Sequence, residues 1–331
     1  MTQVAAQNSL SAQAALGWSR LPAAYAIPAT APTLDEARKY CARLARSHYE
    51  NFSVASWFLP KRLRQHFFNV YAYCRISDDL GDEVGDTAAS LELLDQWQRE
   101  LEACYRASPK HPVFVALSET VRQFDIPQHE FSDLLTAFRQ DQTVTRFETF
   151  NDVLGYCHYS ANPVGHLVLY LCGYRDAERQ QLSDFTCTAL QLANFWQDVS
   201  VDYAKGRIYL PLEDLRRFGV SEENIAHNQN SPAFCTMMRF EVQRARDWFH
   251  QGIPLVGKVD RELAIDLDLF SRGGLEILNA IEKQGYAVLG NRPAISKTRK
   301  LALVGKAALA KLFGGTIGGK HPQTGSNGVA Q

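Results

Sequence analysis

The sequence predicts an all-α protein, with a single helical domain built around a central cavity. Nearly every stretch from residue 33 to residue 313 repeats apolar side chains at helical spacing, while strand-like alternation is almost absent. Two stretches are apolar on most sides yet carry a row of polar oxygens, as expected of interior helices that face a cavity. Because no composition shift marks a boundary, we expect one domain.

Capping residues and prolines delimit the helices. Thr33, with Glu36 three residues later, predicts a capping box at the start of the first helix. The pair Asn162-Pro163 should interrupt a long apolar helix, because proline removes a backbone hydrogen bond. In chain order the predicted helices are 34–48, 60–82, 88–106, 112–124, 127–140, 149–172, 178–202, 211–217, 221–227, 231–251, 258–286 and 296–313.

The two ends of the chain differ in composition from the helical part. Residues 1–32 are low in charge and end in a proline-containing stretch, which predicts a flexible segment. Residues 314–331 are rich in glycine, serine, asparagine and glutamine, which predicts a disordered tail. The all-α domain is therefore expected over 33–313.

Composition excludes several classes of protein. The net charge of −1 gives no reason to expect a nucleic-acid partner. The seven cysteines are odd in number, scattered and without a CxxC pair, which favours reduced thiols in a cytoplasmic protein. We predict no signal peptide, and no apolar run approaches the roughly 20 residues that span a bilayer.

The two polar rows carry the functional signal. A four-residue step returns almost to the same helix face, so each row forms a stripe. The first stripe consists of Tyr71, Arg75, Asp78 and Asp82, and the second of Gln191, Asn194, Asp198 and Asp202. Oxygen ligands facing one cavity are typical of sites for hard cations, which usually accompany phosphate chemistry.

Carboxylates at this spacing also occur on ordinary solvated helices, where their repulsion is only about 0.2–0.5 kcal/mol. Here the flanking residues are apolar, and burying several unpaired carboxylates costs several kcal/mol each. Mg²⁺, as a cluster of two or three ions, would compensate that cost and hold a diphosphate between the stripes. We expect it to act as a Lewis acid on the departing diphosphate, leaving an allylic or cyclopropylcarbinyl carbocation.

Cationic and aromatic residues complete the predicted site. Arg75, Lys205 and Arg207 are candidates to bind the phosphate oxygens, although the last two could simply neutralise a helix C-terminus. A carbocation also needs a dry, aromatic-lined chamber. Most aromatic residues would serve the core, but Tyr71 and Tyr156 share faces or helices with the polar stripes.

These motifs resemble those of the squalene/phytoene synthases, which have the class I isoprenoid synthase fold. The resemblance covers roughly 40–300 and depends on 71–82 (YAYCRISDDLGD) and 191–211 (QLANFWQDVSVDYAKGRIYLP). Details at 48–52, 156–165 and 272–286 are most similar to the bacterial hopanoid-pathway branch, the hydroxysqualene synthases. Phytoene synthases usually carry a Val-Ala-Gly-Thr-Val-Gly stretch where this chain has SANPVG.

The resemblance implies conversion of presqualene diphosphate to hydroxysqualene and diphosphate, with water capturing the rearranged cation and no NADPH required. It implies roles for three groups of residues. The Mg²⁺ ligands would be Asp78, Asp82, Asn194, Asp198 and Asp202, with Asp79 less certain because it points away, and Gln191 as a polar helper. The diphosphate would be held by Arg75, Lys205, Arg207, Tyr71 and Tyr286, and the hydrocarbon by Phe52, Tyr156 and Ala161.

Some assignments stay open at this point. Asn51 stands where some relatives have serine near the phosphate, and Tyr49, Glu50 or Asn162 could orient the quenching water. Alternative reactions are presqualene diphosphate synthesis and complete squalene or phytoene synthesis from two prenyl diphosphates. A non-catalytic scaffold relative would be expected to lose the metal ligands, which are all present here. The basic helix 296–313 could contact the inner face of the cytoplasmic membrane or simply pack on the domain.

Overall fold

We describe the fold from a computed structural model, which describes residues 14–47, 61–106 and 108–296. Within these ranges the structure is helical, apart from an isolated bridge between Arg146 and Ile208. The helices are α1 (Leu34–Ser47), α2 (Arg64–Asp82), α3 (Thr87–Tyr105), α4 (Pro112–Phe124), α5 (His129–Gln140), α6 (Phe150–Ser160), α7 (Asn162–Leu171), α8 (Ala177–Ala204), α9 (Leu212–Phe218), α10 (Glu222–Ala226), α11 (Pro232–Gly252) and α12 (Arg261–Lys283). Short 3₁₀ helices lie at Ala23–Tyr25 and Ile253–Gly257. The predicted all-α fold is confirmed.

Local signals place the helix boundaries well. The Thr33 side chain accepts a hydrogen bond from the Glu36 backbone, and the Glu36 carboxylate accepts from the Thr33 backbone N–H at 2.9 Å, so the predicted capping box is present. The predicted helix 149–172 is broken into α6 and α7 at Ala161, immediately before Asn162-Pro163. The proline therefore ends one helix and begins the next, as its missing N–H requires.

The helices pack around two hydrophobic cores. In the first, α2 packs against α1, α3, α4 and α5, with Tyr73, Trp97 and Phe114 at its centre. In the second, α8 packs against α6, α11 and α12 around Trp196 and Phe249. The short α7 contacts both α2 and α8. Each polar stripe therefore lies on the principal helix of a separate core.

Part of the N-terminal segment packs on the domain, which its composition did not predict. Residues 14–20 are helical, and Ala14, Leu21 and Tyr25 are buried in the first core. Trp18 donates a hydrogen bond to Gln96 on α3 at 3.1 Å. This segment reaches the acidic end of α2, as described below.

Several predicted elements and site residues lie outside the described residues. These are Asn51 and Phe52, the water-positioning candidates Tyr49 and Glu50, and the basic helix 296–313 apart from its first residue. All seven cysteines are described and are free thiols, as predicted. Within the described ranges, no helix is long and apolar enough to cross a bilayer.

Candidate active site

The end of α2 presents three carboxylates with different surroundings. Asp79 is 4% exposed, and its carboxylate accepts hydrogen bonds from Tyr25 at 2.8 Å and from Arg75 Nε at 3.1 Å. Asp78 lies 3.4 Å from Arg75 Nη1, and desolvation together with the nearby Asp82 raises its pKa to about 6. Asp79 is thus committed to internal partners, whereas the side chain of Asp78 faces other carboxylates.

Asp82 joins the end of α2 to the turn that follows α8. Its carboxylate lies 3.2 Å from Lys205 Nζ and 3.0 Å from Arg207 Nη2. Burial would raise the pKa of Asp82, but these two cations hold it below its ordinary value. The intervening Gly206 has φ of +82°, a conformation that glycine adopts without strain and that lets the chain turn between the two cations.

The second stripe lies at a kink in α8. Asp198 has φ −105° and ψ 15°, so the helix departs from regular geometry at a residue of the stripe. Its carboxylate pairs with Arg292, with Oδ2 at 3.0 Å from Nη2. Arg292 also donates to Gln197, whose amide donates to the Pro293 carbonyl at 2.6 Å. The chain after α12 is thereby held against the kink.

Asp202, one turn beyond Asp198, shows that the two stripes converge. Desolvation raises its pKa to about 7, and the charge of Asp198 adds to the effect while Lys205 and Arg207 oppose it. Asp82, on the other acidic helix, also raises the pKa of Asp202. The acidic ends of α2 and α8 therefore share one electrostatic environment.

A further carboxylate, Asp141, lies in this environment and was not predicted from the sequence. It follows α5, its pKa is raised to about 6 chiefly by burial, and it accepts a hydrogen bond from the Tyr156 hydroxyl at 2.9 Å. Arg207 lies close enough to lower that pKa, while Asp82 and Asp78 raise it. No periodic spacing links Asp141 to either stripe, so only the fold could reveal it.

Aromatic side chains form a wall beside Asp141. Phe195 and Tyr209 stack with their ring centroids 3.8 Å apart and 7° between their planes. Tyr156 and Phe147 pack against Tyr209 at 5.5 and 5.6 Å, and all four rings are buried. Ala161 is also buried, at the break between α6 and α7. This wall provides apolar surface next to the carboxylates.

The remaining predicted residues are distributed unevenly. Tyr71 is half-buried on α2, and its pKa is raised mainly by desolvation. On α8, Gln191 is half-buried and Asn194 is exposed. Tyr286 lies elsewhere, with Arg239 over its ring at 5.2 Å and Glu282 close enough to raise its pKa after the larger effect of desolvation. Its predicted contact with diphosphate is not supported by these neighbours.

The donor set is suited to magnesium. Asp78, Asp82, Asn194, Asp198 and Asp202 all offer oxygen, the ligand that Mg²⁺ prefers. Desolvation, with a smaller contribution from neighbouring carboxylates, raises the pKa values of Asp78 and Asp202, and a bound dication would favour their ionised forms. Among the described residues the carboxylates are not drawn together into a ready-made metal site, since Lys205, Arg207 and Arg292 neutralise two of them instead.

Comparisons with known proteins identify the family and the fold. The family model described as squalene/phytoene synthase matches residues 45–299. The structure of squalene synthase HpnC from Alicyclobacillus acidocaldarius is 44% identical, with a TM-score of 0.74 over 76% of this chain and 95% of that chain. A dehydrosqualene synthase solved with a ligand is 30% identical, with a TM-score of 0.75 over 83% and 96% of the two chains.

Curated relatives include a 15-cis-phytoene synthase from Synechocystis, which is 29% identical over 81% of this chain and 83% of its own length. The matched family residues contain both acidic stripes, the Lys205–Arg207 turn and Arg292, whereas Tyr25 precedes them. The fold and the sequence match agree over most of the chain. The chain belongs to the squalene/phytoene synthase family, whose members are isoprenoid synthases.

Proposed function

We propose that this protein converts presqualene diphosphate to hydroxysqualene and diphosphate, as a Mg²⁺-dependent step of hopanoid-type triterpenoid synthesis. The observation that carries the proposal is the meeting of the two acidic helix ends with basic residues, where Asp82 contacts Lys205 and Arg207 beside a buried aromatic wall. The 44% identity with squalene synthase HpnC supports a C30 substrate.

Asp78 and Asp82 from α2, with Asn194, Asp198 and Asp202 from α8, would hold the metal. When bound, Mg²⁺ supplies Lewis-acid stabilisation of the negative charge that develops on the diphosphate. The carboxylates must be ionised to bind it, and the raised pKa values of Asp78 and Asp202 set the pH below which they are not. Asp79 stays outside this set, because Tyr25 and Arg75 occupy its oxygens.

The basic residues would bind and orient the diphosphate. Lys205 and Arg207 lie at the junction of the two helices, and Arg75 presents Nη1 next to Asp78 on α2. Cations fixed beside a leaving group stabilise its charge without reorganising during the reaction. In exchange, the diphosphate would release Asp82 from its ion pairs and leave its oxygens available to the metal.

The aromatic wall would protect the carbocation. Phe195 and Tyr209 are buried, so this wall excludes bulk water, and aromatic rings near a carbocation would stabilise its positive charge. Tyr156 is held by Asp141, so its ring and hydroxyl are fixed at the border between wall and carboxylates. Asn162, one candidate to orient the quenching water, is 7% exposed. Its side-chain amide oxygen accepts a hydrogen bond from the Thr188 hydroxyl at 3.0 Å.

Product analysis tests the proposal. Purified protein, Mg²⁺ and presqualene diphosphate are incubated without NADPH in water enriched in oxygen-18, and the products are analysed by mass spectrometry. We expect hydroxysqualene that carries the heavy oxygen, because water captures the cation. EDTA-treated protein serves as the control. An unlabelled hydrocarbon product, or no turnover of presqualene diphosphate, would contradict the assignment.

A second candidate is head-to-head condensation of two prenyl diphosphates, the reaction implied by the names of the phytoene synthase relatives. The same metal and diphosphate groups would serve that chemistry. Incubation with farnesyl or geranylgeranyl diphosphate alone separates the two proposals. Consumption of either substrate to a C30 or C40 product would favour condensation.

A further inference from the structure

The N-terminal segment contributes a buried hydroxyl to the acidic end of α2. Tyr25 is 4% exposed, and its hydroxyl donates to Asp79 Oδ2 at 2.8 Å. Burial and the neighbouring Asp79 raise the pKa of Tyr25, so the hydroxyl keeps its proton and remains a donor at neutral pH. Tyr25 also precedes the residues matched by the family model, which begin at 45. Its contact with Asp79 is therefore a feature that the family match does not assign.

The segment is anchored on both sides of this tyrosine. Before it, Arg20 donates to the Val84 carbonyl at 2.6 Å, just beyond the end of α2. Next to it, the Tyr40 hydroxyl donates to the Ala24 carbonyl at 2.8 Å. These contacts fix the backbone from which Tyr25 reaches α2.

Asp79 in turn fixes the guanidinium group of Arg75. Arg75 Nε lies 3.1 Å from Asp79 Oδ2, the oxygen that also accepts from Tyr25, and Arg75 Nη2 contacts the other carboxylate oxygen. A bidentate pair of this kind fixes the plane of the guanidinium group. The third nitrogen, Nη1, is left facing Asp78 at 3.4 Å.

We propose that Tyr25 is a positioning residue of the active site. It holds the Asp79 carboxylate, which orients Arg75 so that Nη1 faces Asp78. The proposal rests on the proposed function in one respect, that Arg75 binds the substrate diphosphate. Without the hydroxyl, Asp79 Oδ2 loses one of its two donors and the carboxylate can rotate, taking the guanidinium group with it.

The test compares Tyr25→Phe with Tyr40→Phe. Each substitution removes one hydroxyl that tethers the same segment, but only the Tyr25 hydroxyl contacts Asp79. For each full-length protein we measure kcat and KM with presqualene diphosphate, the melting temperature, and the affinity for inorganic pyrophosphate with Mg²⁺ by calorimetry. We expect Tyr25→Phe to lower kcat and pyrophosphate affinity about tenfold, as for a lost hydrogen bond to a charged group. Tyr40→Phe should leave both unchanged, because Arg20 and the burial of Tyr25 still hold the segment.

A double-mutant cycle identifies the route of the effect. If Tyr25 acts through Asp79, Tyr25→Phe should cause no further loss in an Asp79→Asn background. A full additional loss in that background would overturn the proposal. Equal kcat and pyrophosphate affinity in Tyr25→Phe and Tyr40→Phe would also overturn it, because the contact would then be structural only. If Tyr25→Phe melts at a lower temperature than Tyr40→Phe, the affinities are compared well below both transitions.

Failure of the proposed function is recognised separately. If the wild-type protein does not turn over presqualene diphosphate, the reaction assignment fails. Pyrophosphate affinity still decides whether Tyr25 positions Arg75, since that measurement needs no turnover. A wild-type protein that binds no pyrophosphate with Mg²⁺ would overturn the positioning role itself.

Discussion

The acidic ends of helices α2 and α8 meet at Lys205 and Arg207, but the two helices neutralise their carboxylates in different ways. In α2, Asp79 is buried with two partners, Arg75 on the same helix and Tyr25 from the N-terminal segment. In α8, Asp198 stands at a kink and pairs with Arg292, which is 94 residues away in sequence. Asp202 is opposed by Lys205 and Arg207 but keeps a pKa of about 7.

The difference separates structural carboxylates from functional ones. A buried carboxylate with well-placed donors stabilises the fold, because its charge is satisfied by groups that do not move. A carboxylate whose pKa stays raised has been removed from water without full compensation by neighbouring cations, which is typical of a functional site. Asp79 therefore serves the fold, whereas Asp78 and Asp202 keep raised pKa values. Asp82 and Asp198, the other carboxylates proposed to bind metal, are paired with cations in this structure.

The largest expected effect comes from removing a carboxylate at the junction of the helices. Asp82→Asn and Asp198→Asn should each reduce turnover about a thousandfold, because both would remove a metal ligand. Glu83→Gln, which changes an exposed carboxylate next to Asp82, is the matched control and should retain activity. Steady-state kinetics with presqualene diphosphate measures the effect. Normal turnover in either aspartate variant would break the assignment of both helices to one metal site.

Opposite changes in stability should distinguish the two kinds of carboxylate in metal-free protein at pH 8. Asp202 has a folded-state pKa of about 7, above its unfolded value. Ionising it in the folded protein is therefore unfavourable, and the free energy of unfolding falls as pH rises towards and through about 7. Asp202→Asn removes that cost, and the free energy of unfolding should rise by about 1–3 kcal/mol. Asp79→Asn should lower it by about 3 kcal/mol, because it breaks a buried ion pair.

Urea denaturation in EDTA measures both changes. With added Mg²⁺ the wild-type protein should become more stable than Asp202→Asn, because the variant lacks one ligand. If Asp202→Asn lowers the free energy of unfolding without metal, the inferred cost of ionising Asp202 in the folded protein is absent. If Asp79→Asn leaves the free energy of unfolding unchanged, the contacts of Asp79 with Arg75 and Tyr25 contribute nothing to stability. Either result would remove the contrast between the two helices.

The affinity for Mg²⁺ should depend on pH, and this effect is smaller than those above. Between pH 8 and pH 6 Asp202 takes up a proton, and Asp78, with a pKa of about 6, becomes half protonated. Metal binding requires the ionised forms, so the apparent affinity for Mg²⁺ should fall about tenfold over this range. Calorimetry with wild type and Asp202→Asn tests whether protonation of Asp202 causes the change, since Mg²⁺ affinity should depend less on pH in the variant. A flat profile in the wild-type protein would contradict the raised pKa values.

Much of the fold could be predicted from sequence because its signals are local. The capping box at Thr33, the break at Asn162-Pro163 and the helical periodicity depend on neighbours within a few residues. The same periodicity placed Asp78 and Asp82 on one face, and Asp198 and Asp202 on another. The packing of residues 14–26 was missed, because low charge and prolines do not reveal the partner that buries Tyr25.

The site was predictable only in part, for the same reason. Asp141 and Arg292 share no helix face with either acidic stripe, and only the fold brings them to Asp82 and Asp198. Tyr286, assigned by resemblance, lies beside Arg239 and Glu282. The ligand assignments themselves stay predictions until metal binding is measured.

The amino-acid sequence alone determined that the chain is all-α and that two apolar helices carry rows of oxygen ligands, because helix periodicity and capping act over four or five residues. Only the tertiary structure decided which carboxylates are satisfied and which remain in conflict. That distinction depends on groups from distant segments, the Tyr25 hydroxyl for Asp79 and the Arg292 guanidinium for Asp198, and on how far the folded protein removes each carboxylate from water. Desolvation and long-range pairing have no periodic signature in sequence.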